Sequence, residues 1–328
     1  MGKKDKKIRV KKERAWELDA ARGISILLVV WDHFMYDVGF VFRSNLLYSG
    51  NAHLVQFSNF GREYFTSDLR LYGWAVFVFL FFYISGICTT FSRSNPFRAL
   101  KMGIVAGLLS LVTYLADPML ASQGVNIFIK FGVIHCFALS LTIFSIVEFL
   151  VNIFNPETPL RKKIKTTLAA YYPEDQVNKT PEYKEEFKEK LDKLKEETGF
   201  RKKELIFRFS KFGVFFAITV VAFIMNDLYN VPFYDFSVHY ATVLPTTEWT
   251  GMFIYTRDWW TADYFPLLPY FGFFMLGATA GVLFYPKKKS LMPALDGKWH
   301  KIVSVPGRYT IWIYFISQVV IFGILSLI

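Results

Sequence analysis

Seven stretches of the 328-residue chain are apolar over lengths that cross a bilayer, at about 24–42, 72–91, 101–117, 131–152, 207–225, 264–284 and 309–328. A helix needs about 20 residues at 1.5 Å rise to traverse roughly 30 Å of hydrocarbon. Only helices and closed barrels satisfy every backbone polar group in lipid. Runs this long predict an all-α integral membrane protein: a polytopic helical bundle of about seven spans, with room for eight or more, and a cytoplasmic helical insertion. The first run follows MGKKDKKIRVKKERAWELDAAR. Its apolar part is too long for a signal peptide and no small-residue cleavage site follows, so it is read as a retained span. Both cysteines, Cys88 and Cys136, fall inside runs. They supply neither a disulfide framework nor a metal-ligand cluster, and no metal is expected.

The formal net charge of +11 would suit a nucleic-acid binder, but its distribution argues otherwise. With seven spans and the N-terminus inside, segments 1–23, 92–101, 153–211 and 285–308 face the cytoplasm and carry 33 of the 38 Lys and Arg residues. The other side keeps Arg43, Arg62, Arg70, Lys130 and Arg257. A bias of that size sets the orientation as N-in and C-out, so the basic balance reports topology and contact with the lipid bilayer rather than nucleic acid. The expected location is a bacterial cytoplasmic membrane. Four parts follow: a basic cytoplasmic N-terminus (1–23), a first four-span part (24–154), a charged cytoplasmic helical insertion (155–206) and a last three-span part (207–328).

Within the insertion, TPEYKEEFKEKLDKLKEETG reads as a helix capped by Thr180, with Pro181 in the first turn and Gly199 as its stop. Tyr183, Phe187, Leu191 and Leu194 make one apolar stripe on it. The sequon Asn178-Lys179-Thr180 lies on the predicted cytoplasmic side, where glycosylation is not expected. The predicted external loops 43–71 and 226–263 are long and aromatic. In them Tyr255, Trp259 and Trp260 either stack on a sugar or form an interfacial aromatic belt.

The first run, RGISILLVVWDHFMYDVGF, carries Asp32, His33 and Asp37 where lipid penalises charge, and ionisable groups inside spans mark function by default. Arg22 and His33 are eleven residues apart, close to three full turns, so they share a face about 16 Å apart along the axis. Asp37 is one turn beyond His33 on nearly the same face, and Asp32 points about 100° away. A cation at one surface and a His–Asp pair deeper in suit a long anionic cosubstrate. Arg22 would hold its phosphate end, and His33, oriented by Asp37, would act as general base. A His–Asp pair that locks helix packing, or a proton relay in a transporter, fits the same residues.

The run RAWELDAARGISILLVVWDHFMYDV (14–38) resembles the opening of the heparan-α-glucosaminide N-acetyltransferase-like membrane proteins. Its Arg22-x10-His33 spacing is similar to the signature of the broader acyltransferase-three family. FVFLFFYISGICTTFSR (77–93), DYFPLLPYFGFFMLGATAGVLFY (263–285) and PGRYTIWIYFISQVVI (306–321) resemble later spans of the same proteins, so the resemblance covers most of the chain except 155–206. The last span has Ser317-Gln318 where a His-Gln pair is common, and Ser317 does not inherit that histidine's role.

The resemblance implies a transmembrane acyltransferase. Acyl-CoA, commonly acetyl-CoA, is supplied from the cytoplasm, and the acyl group passes to an amine or hydroxyl of a sugar or glycan acceptor across the membrane. His33 and Asp37 are then the catalytic candidates. Arg14, Arg22, Arg93, Arg98 and Lys101 stand at the predicted cytoplasmic mouth, where they meet the CoA phosphates or are ordinary positive-inside residues. Ser85, next to Gly86, touches the carrier or merely permits close helix approach. His135 enters the fourth span at a depth comparable with His33, and Asp263 precedes the sixth span. With Trp259 they are the acceptor-side candidates, against packing and capping roles for His135 and Asp263. The competing class is a proton- or anion-coupled transporter or flippase using Arg22, His33 and Asp37. A silent partner anchored through the insertion is a third reading, and homo-oligomerisation is left open.

Overall fold

The computed structural model describes residues 15–121, 126–157, 159, 181–228, 248–256, 259 and 261–328. Its helices are α1 (Trp16–Tyr36, continuing as a π turn over Asp37–Val41), α2 (Arg43–Tyr48), α3 (Ala52–Thr66), α4 (Asp68–Ile87), α5 (Asn95–Ala121) and α6 (Val133–Asn152). They continue as α7 (Pro181–Glu197), α8 (Phe200–Leu228), α9 (Glu248–Phe253), α10 (Leu267–Phe284), α11 (Lys301–Arg308) and α12 (Thr310–Leu325). The described residues contain no β-strand. Six helices are long and apolar enough to cross a membrane: Trp16–Val41, Asp68–Ile87, Asn95–Pro118, Val133–Asn152, Phe200–Leu228 and Leu267–Phe284.

The last expected span, 309–328, begins at a sharp bend. α11 and α12 meet at 89°, because Pro306 and Gly307 interrupt the chain and Tyr309 leaves helical geometry (φ −112°, ψ 21°). A β-carbon on Gly307 would overlap the Asp19 carbonyl, and one on Gly23 would overlap that of Val303, so glycine lets α11 lie backbone to backbone against α1.

Lipid is as apolar as leucine, so spans associate through close packing and small residues rather than through burial of grease. α10 is the buried centre, packed on α4, α8 and α6, while α1 packs on α11, α12 and α4. Its contact with α4 depends on glycines from both sides: a β-carbon on Gly86 would meet the Phe274 carbonyl, and one on Gly277 that of Tyr83. Gly86 therefore permits the close helix approach. Rings fill the remaining space, with Phe82 stacked on Phe137 at 4.1 Å and on Tyr270 at 5.0 Å, and Phe144 against Phe215 at 5.2 Å. α5 packs on α6 and leaves Ile104, Leu108, Leu111, Val112 and Leu115 facing outward, as a lipid-facing helix should.

Polar contacts gather the basic connections at one end of the bundle. Glu17 accepts from Ser290 (2.7 Å) and the Leu291 amide (2.8 Å), and Trp16 donates to the Met292 carbonyl (2.9 Å). Glu148 takes Asn95 (2.6 Å) and Lys211 (3.0 Å), tying α5, α6 and α8. α7 ends where expected, with Gly199 left-handed at φ +58° and Leu194 buried. Thr180, the sequon and the Tyr183 and Phe187 side chains lie outside the described residues.

Candidate functional site

The three ionisable residues of α1 have three different surroundings. Asp32 is 6% exposed and forms a two-pronged ion pair with Arg70 of α4, Nε to Oδ1 at 2.9 Å and the terminal nitrogen to Oδ2 at 3.0 Å. Tyr64 adds a hydrogen bond at 3.3 Å, and Phe65 lies under the guanidinium at 4.3 Å. This arrangement ties α1 to α3 and α4 and pairs the Asp32 charge with that of Arg70. Asp37 is also buried, where α1 widens and Gly39 meets Gly61 of α3, but its Oδ2 has no hydrogen-bond partner among the described residues.

His33 forms no hydrogen bond among the described residues, and its ring lies edge-on to Tyr314 of α12 with centroids 5.7 Å apart. The expected His33–Asp37 hydrogen bond is therefore absent. Helical register places the two residues one turn apart, but no hydrogen bond joins their side chains among the described residues.

Tyr314 leads to the second half of the site. Its hydroxyl donates to Asp263 Oδ2 at 3.1 Å, and the Val133 amide, at the start of α6, donates to the same oxygen at 3.0 Å. Asp263 thus caps α6, not the helix it precedes in sequence. It adopts a left-handed backbone, φ +53°, which Asp and Asn tolerate best among non-glycine residues. The connection carrying it is pinned to the 126–132 segment: Thr261 accepts the Lys130 amide at 2.6 Å, and the Ala262 amide donates to the Phe128 carbonyl at 3.2 Å. Burial pushes the Asp263 carboxyl up to about 7, although its two hydrogen bonds favour the ionised form. Nearby, Cys136 donates to the Pro266 carbonyl at 3.6 Å.

The other acceptor-side candidates have structural partners. The Gly132 amide donates to His135 Nδ1 at 3.2 Å, which leaves Nε2 as the protonated nitrogen of the neutral ring; it faces Ser110 Oγ at 2.9 Å, and that hydroxyl donates to the Ile129 carbonyl. His135 thus locks the turn into α6. Trp259 is 6% exposed, covers Gly251, meets Tyr264 edge-on at 5.0 Å and has Lys130 at 5.9 Å. Its ring is covered by these neighbours. Trp260 lies outside the described residues.

At the basic end the structure brings two of the five expected cations together. Arg22 faces Arg98 closely enough for their charges to interact. Arg22 approaches Asp19 at 3.7 Å, Arg308 approaches the same carboxylate at 3.3 Å, and Arg98 donates to the Cys88 carbonyl and Asn95 Oδ1, both at 3.3 Å. Lys101 sits over Phe97 at 4.5 Å and Arg93 is exposed, so neither joins the pair. Arg14 lies outside the described residues. Ser85 is half-buried beside the α4–α10 contact. No group of three His, Cys, Asp or Glu side chains among the described residues is arranged to hold a metal ion.

Sequence reasoning missed Tyr314 altogether. One tyrosine among the aromatics of a last span carries no pattern, and its partner lies 51 residues away.

A family model described as heparan-alpha-glucosaminide N-acetyltransferase, catalytic, matches residues 46–155 and 203–319. The matched segments include Arg98, His135, Asp263 and Tyr314 and skip 156–202, while α1, with Arg22 and His33, precedes them. No curated protein and no solved structure matches the chain.

Proposed function

Since the chain belongs to the heparan-alpha-glucosaminide N-acetyltransferase catalytic family, a family of transmembrane acetyltransferases, we propose that it moves an acetyl group from cytoplasmic acetyl-CoA to an amine or hydroxyl of a sugar or glycan on the far side, with His33 as general base. The observation that carries this reading is the imidazole of His33, free of hydrogen bonds among the described residues. It lies three turns along one helix from a pair of facing arginines, Arg22 and Arg98. The phosphates of CoA would neutralise that pair, and the thioester arm would extend along α1 toward His33.

In the transfer the acceptor nitrogen or oxygen attacks the thioester carbonyl carbon. An N–C or O–C bond forms, the C–S bond breaks, sulfur leaves with the electron pair, and His33 takes the acceptor's proton. Asp263 is assigned to the acceptor. Sidedness follows from the 33 of 38 basic residues on one set of connections. A relay through Arg22, His33 and Asp37 is less favoured, because no hydrogen bond joins His33 to Asp37.

The test is release of free CoA thiol from acetyl-CoA by purified protein with amino-sugar acceptors. Wild type should release thiol above background, and His33→Ala should lower kcat by about 10²–10⁴-fold, the usual range for a lost general base. No release across several acceptors by folded wild-type protein would overturn the enzyme reading.

A further inference from the structure

Four residues far apart in sequence form one continuous set of contacts. The Val133 amide of α6 and the Tyr314 hydroxyl of α12 both donate to Asp263 Oδ2, and the Tyr314 ring lies edge-on to His33 of α1. A phenylalanine would fill the same space against His33. The hydroxyl is what commits the ring to Asp263, through a charge-assisted bond of the stronger kind when the carboxyl is ionised. Asp263 is itself fixed, by the Val133 amide and by a connection bonded to Phe128 and Lys130. His33, with no hydrogen bond of its own among the described residues, takes its ring contact from Tyr314, and Asp37 contributes none.

Resting on the acyl-transfer reading, we propose that Tyr314 is a positioning residue that sets the orientation of His33, and that Asp263 anchors it, so that the 259–266 connection on the acceptor side governs how the base is presented. The groups facing this pair are few. Cys136 of α6, Tyr270 of α10 and Tyr314 face Asp263, while the charges of Asp32 and Arg70 act on His33. Arg70 is already neutralised by Asp32, so the Tyr314 hydroxyl and the Val133 amide are the direct donors to the Asp263 carboxylate.

Two substitutions separate the ring from the hydroxyl. Tyr314→Leu removes both and should lower kcat by about 10–100-fold, as a misplaced catalytic group does, with KM for acetyl-CoA unchanged. Tyr314→Phe restores the ring without its bond to Asp263 and should recover only part of that loss above pH 8. It also deprives the carboxylate of a donor, so Asp263 should titrate above about 7, shifting the acid limb of the pH–rate profile upward by about half a unit to one unit. The same shift is read without turnover, from the protonated-carboxyl infrared band assigned by its loss in Asp263→Asn. An unmoved infrared midpoint in Tyr314→Phe, or wild-type kcat in Tyr314→Leu, overturns the positioning role. Full activity in His33→Ala overturns the general-base reading instead, so the two failures are distinguishable.

Discussion

Individual polar residues inside the bundle differ in what they have to lose. Asp32 and Arg70 have side chains only 9% and 20% exposed and bond at two points. Removing one partner leaves a charge without compensation in a poorly hydrated site, so Asp32→Ala should destabilise by about 3–5 kcal/mol. The paired replacement Asp32→Leu with Arg70→Met should recover most of that in thermal unfolding in detergent. Asp263 behaves differently because its folded carboxyl holds its proton up to about pH 7, against about 3.9 in the unfolded chain. Between these values the folded state binds more protons than the unfolded one, so this group's contribution to stability falls as pH rises from about 4 to 7 and is constant outside that window. Asp263→Asn keeps an oxygen for Tyr314 and Val133 and suits the left-handed backbone. It should flatten the melting temperature against pH across that window, and an unchanged slope would count against the assignment.

Helices in this protein meet according to where glycine is. Gly86 and Gly277 let α4 and α10 approach until backbone touches backbone, whereas Gly103 and Gly107 of α5 have nothing within contact range of an added β-carbon. Gly277→Val should therefore separate α4 from α10 and abolish a cooperative melt. Gly103→Ala and Gly107→Ala should leave packing intact and raise stability by up to about 1 kcal/mol each through helix propensity. Sequence shows all of these glycines as small residues in apolar runs and cannot rank them. Only the crossing point of two helices distinguishes a contact glycine from a lipid-facing one.

For the whole molecule, contacts bring 15–22, 88–98, 148 and 285–308 to one end of the bundle, and the proposed N-in orientation rests on the charge count alone. A membrane-impermeant maleimide should label Asn51→Cys on intact cells and Ser290→Cys only after permeabilisation, in a background with Cys88 and Cys136 replaced. The reverse pattern would invert the sidedness. The sequence by itself determined the fold class and the place of six spans, because a run of about 20 apolar residues is a one-dimensional signal that lipid enforces whatever its neighbours are. It also marked His33, since an ionisable group in such a run is costly. Helical register along one element could suggest the His33–Asp37 partnership but not test it, because a side chain bonds to whatever the neighbouring elements present. Which ring His33 meets, which carboxylate takes the Tyr314 hydroxyl and which arginines converge depend on contacts between elements distant in sequence, and only the tertiary structure decided them.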